Sequence, residues 1–333
     1  MADVPRLACS FPPSKDLPQL AQEAESLGYE RVWIYDSPAL YGDVWVAVAR
    51  VAEATDAIGV ATGVAVAFLR HVMVTASAIA TVEDLAPGRL TFAVGTGFTG
   101  ARAMGRKAMK WSDLADYVTQ LRTLLRGDAV EVDGARCRMI HSPGYAPPRP
   151  IEVPLLLAPM GPKGFGYARE LADGVIVASP PDTDEWDPCA LLCNGTVLDP
   201  GEDHTTPRVI ETLAPSYATS VHARWEFARD MVPEIPGGSA WLAELDASYD
   251  ERDRPWAVHE GHMIAVSDRD RDVVAEAGPA LLQSGWTDDA EHVHARAVEA
   301  RAGGVTELVY GATGPDPVRE LAAFATAVRG GAG

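Results

Sequence analysis

Short apolar segments alternate with helical patterns along this chain, and that alternation limits the possible folds more than any other feature. Most segments are followed by apolar residues at helical spacing, and a closing helix is predicted over residues 315–328. Near-continuous runs of Val, Ile and Leu are typical of parallel strands covered on both faces. The eight predicted strands are residues 6–10, 31–35, 58–66, 89–94, 155–158, 174–178, 190–198 and 306–312.

Eight strand–helix units predict an α/β fold, a (β/α)8 TIM barrel with insertions. A doubly wound open sheet is the alternative. We predict a single domain over residues 1–333, with insertions at about 95–153 and 199–304. Long segments after strand ends usually shape an active-site mouth. In a barrel we therefore look for functional residues at the carboxyl ends of the strands.

Acidic residues outnumber basic residues, and this balance narrows the possible partners. Lys and Arg total 28 against 47 for Asp and Glu, so the formal net charge is -19. A protein that binds duplex nucleic acid needs a basic face, so we exclude nucleic acid as the main partner. No apolar run is long enough to span a bilayer, and the N-terminal MADVPRLACSFPP lacks the pattern of a secretory signal. The four cysteines do not have zinc-site spacing, which predicts reduced thiols in a cytoplasmic protein.

The junction between the fifth strand and its helix, with the sequence APMGPKG, is a candidate phosphate site. Backbone N–H groups at a helix start are unpaired, and the helix dipole adds partial positive charge there. Glycine removes side chains that would hold a phosphate away from the backbone, and proline is tolerated in a first turn. The alternative is an ordinary strand-to-helix turn with glycines for tight packing. The candidate residues are Met160, Gly161, Pro162, Lys163 and Gly164.

Two more strand ends contain glycines that could approach a ligand. After the fourth strand, VGTGFTG contains Gly95, Thr96 and Gly97, a backbone able to lie flat against a planar ligand. A basic cluster follows, which suits an anionic ligand tail or, equally, a solvated helix face. In TGVAV, a glycine inside a strand often marks a bulge or a close backbone approach, but from the sequence alone simple packing is the preferred interpretation of Gly63. The basic cluster is Arg102, Arg106, Lys107 and Lys110.

Side chains at two further places are candidates for proton chemistry. Asp36 and Ser37 directly follow the second strand, although an Asx turn that caps a helix would look the same. HEGHM places His259 and His262 three residues apart, but no carboxylate follows at the spacing of a zinc protease. We assign no metal ligands from this pattern and keep His262 as a candidate on the substrate side.

In their order and spacing, several segments resemble the bacterial luciferase-like family of flavin- and deazaflavin-dependent oxidoreductases. The resemblance is strongest to the branch that uses coenzyme F420, such as methylenetetrahydromethanopterin reductase. It covers most of residues 6–178 and 304–329. The matching segments are AESLGYERVWIYDSP, TGVAV, ASAIATVEDLAPGRLTFAVGTG, GRKAMKWSDLADYV, APMGPKGFGYARELADGVIV and GVTELVYGATGPDPVRELAAF.

The resemblance implies an interrupted barrel that binds a three-ring cofactor at the carboxyl ends of its strands. The segment from Met160 to Gly164 would hold the cofactor phosphate, and Gly95, Thr96 and Gly97 would line the cofactor channel. The peptide bond between Gly63 and Val64 would be cis and would lie behind the ring.

The segment after the second strand departs from the family pattern. Family members often have Ser-Asp-His there, whereas this chain has Tyr35, Asp36 and Ser37. Asp36 is carried over as a site residue, while an imidazole proton donor is missing at this place. Either Ser37, Tyr41 or His262 would substitute for it, or the substrate would need no strong acid.

The function implied is that of an F420H2-dependent oxidoreductase, which transfers a hydride between the deazaflavin and an activated C=C, C=N or C=O group. One alternative is a luciferase-like monooxygenase that uses FMNH2, and another is a barrel that has lost catalysis and only binds. The expected partner is an organic substrate, either a small molecule or a peptide. Family members are commonly dimers, so a homodimer is expected.

Overall fold

The computed structural model describes residues 4–181, 184–283 and 285–331, and a barrel of parallel strands lies at its centre. The strands found in these residues are Arg6–Phe11 (β1), Arg31–Ile34 (β2), Gly59–Thr62 (β3), Ala65–Val66 (β4), Leu90–Gly95 (β5), Val130–Val132 (β6), Ala135–Cys137 (β7), Leu155–Leu157 (β8), Gly174–Val177 (β9), Cys189–Asn194 (β10) and Glu307–Gly311 (β11). Only β6 and β7, which form an antiparallel hairpin, lie outside the barrel sheet of the described residues.

The sheet closes on itself. Its strands run in the order β3-β2-β1-β11-β10-β9-β8-β5, and every neighbouring pair is parallel. The pairing of Val60 with Leu90 and of Ala61 with Thr91 joins β3 to β5. The two-residue β4 extends the line of β3 and pairs with β5. The prediction of a (β/α)8 TIM barrel is confirmed, and the open sheet is excluded.

Two strands are shorter in the structure than the sequence pattern predicted. Residues 58–66 form two strands rather than one, and the Gly63–Val64 peptide bond between them is cis. Residues 190–198 are a strand only as far as Asn194. The chain leaves the sheet at Gly195, where φ is 146° and a Cβ atom would lie 2.5 Å from the backbone of Trp286.

Helices cover the outside of the barrel and fill the longer connections. They are Leu17–Ser26 (α1), Val44–Ala54 (α2), Val72–Leu85 (α3), Phe98–Arg102 (α4), Trp111–Arg126 (α5), Gly161–Leu171 (α6), Pro207–Phe227 (α7), Gly238–Ser248 (α8), Arg254–His259 (α9), Asp268–Glu276 (α10), Ala290–Ala302 (α11) and Pro317–Val328 (α12). Short 3-10 helices occupy Ala67–Leu69, Arg229–Glu234 and Gly278–Gln283. In the described part of the chain, none of these helices combines the length and the apolar character needed to cross a bilayer.

The two long connections contain barrel helices as well as inserted elements. In the first connection, α5 packs between α3 and α6 in the outer ring, and in the second, α11 packs against α12. Helices α7 to α10 instead pack on one another around their own apolar core, which includes Val209, Leu213, Val221, Trp241 and Leu245. We call α7 to α10 the inserted helices.

One layer of side chains fills the barrel interior, and each of the eight barrel strands contributes one residue to it. Trp33 is fully buried there, and its indole N–H donates to Glu307 Oε1 at 2.8 Å. Small side chains on the neighbouring strands leave room for the indole ring. The layer is Ala8, Trp33, Ala61, Ala93, Leu156, Ile176, Ala190 and Val309. The barrel interior at this level is therefore a packed core.

Replacing Trp33 with alanine should destabilise the fold strongly. Deleting a fully buried Trp side chain removes its burial and leaves a cavity, which typically costs about 3–5 kcal/mol. Urea unfolding followed by circular dichroism measures the loss. The matched control is Trp256→Ala, because Trp256 is 59% exposed and its removal should change stability by less than about 1 kcal/mol. Equal effects of the two substitutions would contradict the packed interior.

Candidate active site

A cavity of ≈ 400 Å³ lies at the carboxyl ends of the barrel strands, above the filled interior. Its walls come from the ends of β1, β2, β4, β5, β8, β9 and β10 and from one loop of the inserted helices. The lining residues are Ser10, Tyr35, Asp36, Ser37, Tyr41, Gly63, Val64, Val66, Gly95, Thr96, Gly97, Phe98, Thr99, Gly100, Ala158, Pro159, Met160, Ile176, Ala178, Leu192, Asn194, His262 and Met263. This position at the strand ends is where TIM barrels place their chemistry.

The structure brings most of the predicted site residues together around this cavity. Those that line it are Asp36, Ser37, Gly63, Val64, Gly95, Thr96, Gly97, Met160 and His262. Gly161, Pro162 and Lys163 do not line it, but lie exposed next to Met160 at its edge. Gly164 is buried elsewhere, under Trp111.

Close backbone packing forms one wall of the cavity. A Cβ atom at Gly95 would lie 3.0 Å from Val64, next to the cis bond. Gly97 has φ of +78°, and a Cβ atom there would lie 2.3 Å from Val66. Because only glycine fits at Gly97 without displacing Val66, this part of the VGTG loop is required by the wall itself.

The start of α6 contains glycines with two different roles. Gly161 has φ of +65°, and a Cβ atom there would meet nothing within 4 Å, so the space in front of this turn is open. A Cβ atom at Gly164 would lie 2.7 Å from Trp111 and 3.1 Å from Pro159. Packing within the chain therefore explains Gly164, whereas no neighbouring atom occupies the space in front of the exposed turn at Gly161.

The carboxylate of Asp36 is fully engaged by neighbouring groups. Arg70 donates to both of its oxygens, with Nη1 to Oδ2 at 2.7 Å and Nη2 to Oδ1 at 3.2 Å, and the Val66 N–H donates to Oδ2 at 2.9 Å. Arg70 also donates to Asp43, whose other oxygen caps α2. Asp36 thus links the end of β2 to β4 and acts as a positioning residue for the cavity wall.

Burial raises the pKa of the Asp36 carboxyl above its ordinary value, and the Arg70 guanidinium and the Val66 N–H oppose that rise. Sequence reasoning missed Arg70. Its side chain reaches Asp36 across 34 positions of the chain, and no local motif marks such a pair.

Polar groups that the sequence did not single out lie in the same cavity. The hydroxyls of Ser10 and Tyr35 are 3.0 Å apart, and Asn194 stands at the end of β10. Burial raises the pKa of the Tyr35 phenol, so it is protonated at neutral pH and able to donate a hydrogen bond. In the sequence, only their position could have identified these three residues as site residues, since each lies at or just past the end of a barrel strand.

The inserted helices touch the mouth of the cavity at three places. Phe227 of α7 stacks on Phe98 with ring centroids 4.6 Å apart, and Glu226 lies 3.4 Å from Arg102. The Tyr41 hydroxyl donates to the carbonyl oxygen of His262. The inserted helices therefore partly cover the cavity.

His262 enters the cavity from the loop after α9. Burial, together with the neighbouring His259 and His222, lowers the pKa of His262 to about 3. The imidazole is therefore neutral at pH 7, and it cannot act as the imidazolium acid that the substitution for the missing histidine would require. The structure adds His222 of α7 to the predicted His259 and His262, which makes a cluster of three imidazoles.

These features define a TIM-barrel protein with a ligand-sized cavity at the catalytic end and an exposed helix start beside it. The amino-acid sequence shows which family the protein belongs to. The family model for luciferase-like monooxygenases matches residues 5–187, and the chain belongs to that family.

Individual relatives agree with this assignment. The chain is 29% identical over 169 residues to a 5,10-methylenetetrahydromethanopterin reductase of Methanolobus tindarius. The matched region covers 47% of this chain and 48% of the relative. It is 30% identical over 182 residues to an F420-dependent glucose-6-phosphate dehydrogenase of Mycobacterium avium. Here the matched region covers 50% of this chain and 53% of the relative. The chain thus matches about half the length of these relatives.

A solved structure extends the likeness of fold to nearly the whole chain. The coenzyme F420-dependent tetrahydromethanopterin reductase of Methanopyrus kandleri superposes with a TM-score of 0.64 at 18% identity, over 97% of this chain and 98% of the other. At this identity the likeness shows a shared fold.

Replacing Arg70 with methionine should destabilise the protein by about 3–5 kcal/mol at neutral pH, because it leaves the buried Asp36 carboxylate without its partner. Asp43→Asn is the matched control, because it removes the exposed end of the same network and should have an effect of about 1 kcal/mol or less. Urea unfolding of the three proteins at pH 7 measures both effects.

The pH dependence of the Arg70→Met penalty separates an uncompensated charge from lost packing. In the variant, the folded-state pKa of Asp36 is raised further above its unfolded value, so stability falls as the pH rises through that folded pKa. The penalty should therefore shrink as the pH is lowered and Asp36 becomes protonated. A penalty that stays constant between pH 7 and pH 5 would indicate lost packing instead.

Proposed function

We propose that this protein is an F420H2-dependent oxidoreductase that transfers a hydride between the deazaflavin and an activated C=C, C=N or C=O group of a small organic substrate. The observation that carries the proposal is the cavity at the strand ends, which adjoins the exposed start of α6. Family membership and the F420-dependent relatives named above support the choice of cofactor.

The residues around the cavity fit a planar ring with an anionic tail. The cavity volume of ≈ 400 Å³ lies within the usual range for ligand pockets, about 300–1,000 Å³. The residues of the cis bond at Gly63–Val64 and the loop from Gly95 to Gly97 line the cavity. When bound, the deazaflavin would supply the two-electron hydride chemistry.

The start of α6 would hold the cofactor phosphate. Met160 stands at the N-cap position and makes no side-chain hydrogen bond to the first turn. Because the first N–H groups of a helix have no partners within the helix, they attract an anion, and the exposed Lys163 would add a full positive charge. Gly161 leaves the space in front of the turn open.

The chain's own groups would orient the substrate and exclude water. The Tyr35 hydroxyl, held by Ser10, would donate a hydrogen bond to the substrate atom that takes up a proton. The Phe98–Phe227 stack and the loop with His262 would limit the access of water from the side of the inserted helices. Asp36 would keep the wall in place through Arg70.

A luciferase-like monooxygenase that uses FMNH2 is the second candidate, and the description of the matched family favours it. The two candidates differ in cofactor, since deazaflavin does not support oxygen chemistry. A barrel that only binds a ligand is a third outcome of the same test. The cytoplasmic location and the homodimer remain predictions.

Titration of the purified protein with F420 and with FMN, followed by cofactor fluorescence, tests the choice. We expect F420 to bind with micromolar or tighter affinity and FMN to bind more weakly. Tight binding of FMN without binding of F420 would favour the monooxygenase. Failure of both cofactors to bind would overturn the proposal.

Neutralising Lys163 tests the phosphate position. We expect Lys163→Gln to weaken F420 binding about tenfold, because a contact from a charged donor to phosphate contributes about 1.5 kcal/mol or more. The matched control is Arg136→Gln on the exposed β6–β7 hairpin, which should leave the affinity unchanged. An unchanged affinity of Lys163→Gln would place the phosphate elsewhere.

A further inference from the structure

Three histidine side chains lie together among the inserted helices, beside the cavity. His222 belongs to α7, His259 ends α9, and His262 follows in the next turn. One ring nitrogen of each lies within 4.8 Å of the others. The ring centroids are 5.5 Å apart for His259 and His262, and 6.2 Å apart for His222 and His262.

The cluster contains more buried nitrogen atoms than the described residues can satisfy. His222 and His259 are 2% and 3% exposed. Among the described residues, Nδ1 of His222, Nδ1 of His262 and both ring nitrogens of His259 have no hydrogen-bond partner. Buried polar side-chain atoms are normally paired, so unpaired nitrogens on three adjacent rings indicate that a partner is missing, and a single ion could accept one nitrogen from each ring.

Carboxylates stand behind two of the rings. Asp270 Oδ1 lies 3.1 Å from His222 Nε2, which leaves the other ring nitrogen, the unpaired Nδ1, free to bind an ion. Asp270 is itself held by the Trp241 indole N–H at 2.8 Å and by the Ser267 hydroxyl at 2.7 Å. Glu226 lies 3.6 Å from His259 Nε2. A carboxylate that orients a histidine from behind is the usual outer shell of a metal-binding imidazole.

We propose that His222, His259 and His262 bind a divalent transition-metal ion, Zn²⁺ by preference. Neutral imidazoles are ligands for zinc, and three of them leave the fourth tetrahedral position open for water or another ligand. Tetrahedral zinc would bring the ligand nitrogens to within ~3.4 Å of one another. Because the present spacing is at most 4.8 Å, small side-chain rotations would complete the site.

The cluster lies between two pockets. His259 lines a second pocket of ≈ 550 Å³, together with Tyr249 and Trp256. His262 lines the candidate active site. A bound ion would join α7 to the loop after α9 and fix His262 at the edge of the active-site cavity. The proposal is independent of the cofactor and of the reaction.

Metal titration of the full-length protein tests the site. After treatment with a chelator, the protein is titrated with Zn²⁺ by calorimetry, and we expect one ion per chain with micromolar or tighter affinity. His259→Gln and His262→Gln should each weaken the affinity at least about 100-fold. Wild-type affinity in both variants would overturn the proposal.

The matched control is His292→Gln. His292 lies with Asp288 and Asp289 in an exposed group that also has metal-like spacing. We expect this variant to bind Zn²⁺ like the wild type. Loss of binding in His292→Gln alone would assign the ion to the exposed group and overturn the proposal.

Co²⁺ bound to the wild-type protein gives a readout that needs no variant. Three imidazoles and an open position should give the intense visible absorption of tetrahedral Co²⁺, without the near-ultraviolet bands of thiolate ligands. A weak octahedral spectrum, or thiolate bands from the cysteines, would overturn the proposal even if the histidine variants fail to fold.

Discussion

Closure of the parallel sheet between β3 and β5 is the constraint on which the rest of the structure depends. Because all eight barrel strands are parallel, closure brings all their carboxyl ends to one rim. The layer around Trp33 fills the interior below that rim, so the space for a ligand lies above the layer. Residues as far apart in the chain as Ser10 and Asn194 therefore line a single cavity.

Packing within the chain explains several residues of the rim that would otherwise be attributed to ligand binding. Gly97 is required by its contact with Val66, and Gly164 by its contact with Trp111, so both are explained without a ligand. Gly161 is different, because its positive φ leaves open space in front of an exposed helix start. Asp36, which sequence position marks as a catalytic candidate, is instead paired with Arg70 and holds the wall together.

The inserted helices add contacts at the mouth of the cavity and a histidine cluster that the barrel strands do not provide. They have their own apolar core, and they contact the mouth through Phe227, Glu226 and the backbone of His262. Two of their three clustered histidines, His222 and His259, are buried and His262 is half-buried, and four of the ring nitrogens have no hydrogen-bond partner among the described residues. The proposed metal ion would therefore be held by the inserted helices and their loop, whereas the proposed cofactor would be held at the barrel rim.

The sequence by itself determined the α/β class with eight parallel strands, because apolar segments with helical periodicity between them have few other ways to bury their side chains. The closure of β3 on β5, which distinguishes the barrel from an open sheet, was seen only in the tertiary structure. The sequence also identified Gly95, Gly97 and Gly161 as residues of the rim, because a glycine just past a strand end can be recognised from the local sequence. Only the tertiary structure decided that Asp36 pairs with Arg70 and that His222 joins His259 and His262. These contacts join residues more than 30 positions apart, and nothing in the local chain encodes which distant side chain the packing of the helices will bring near.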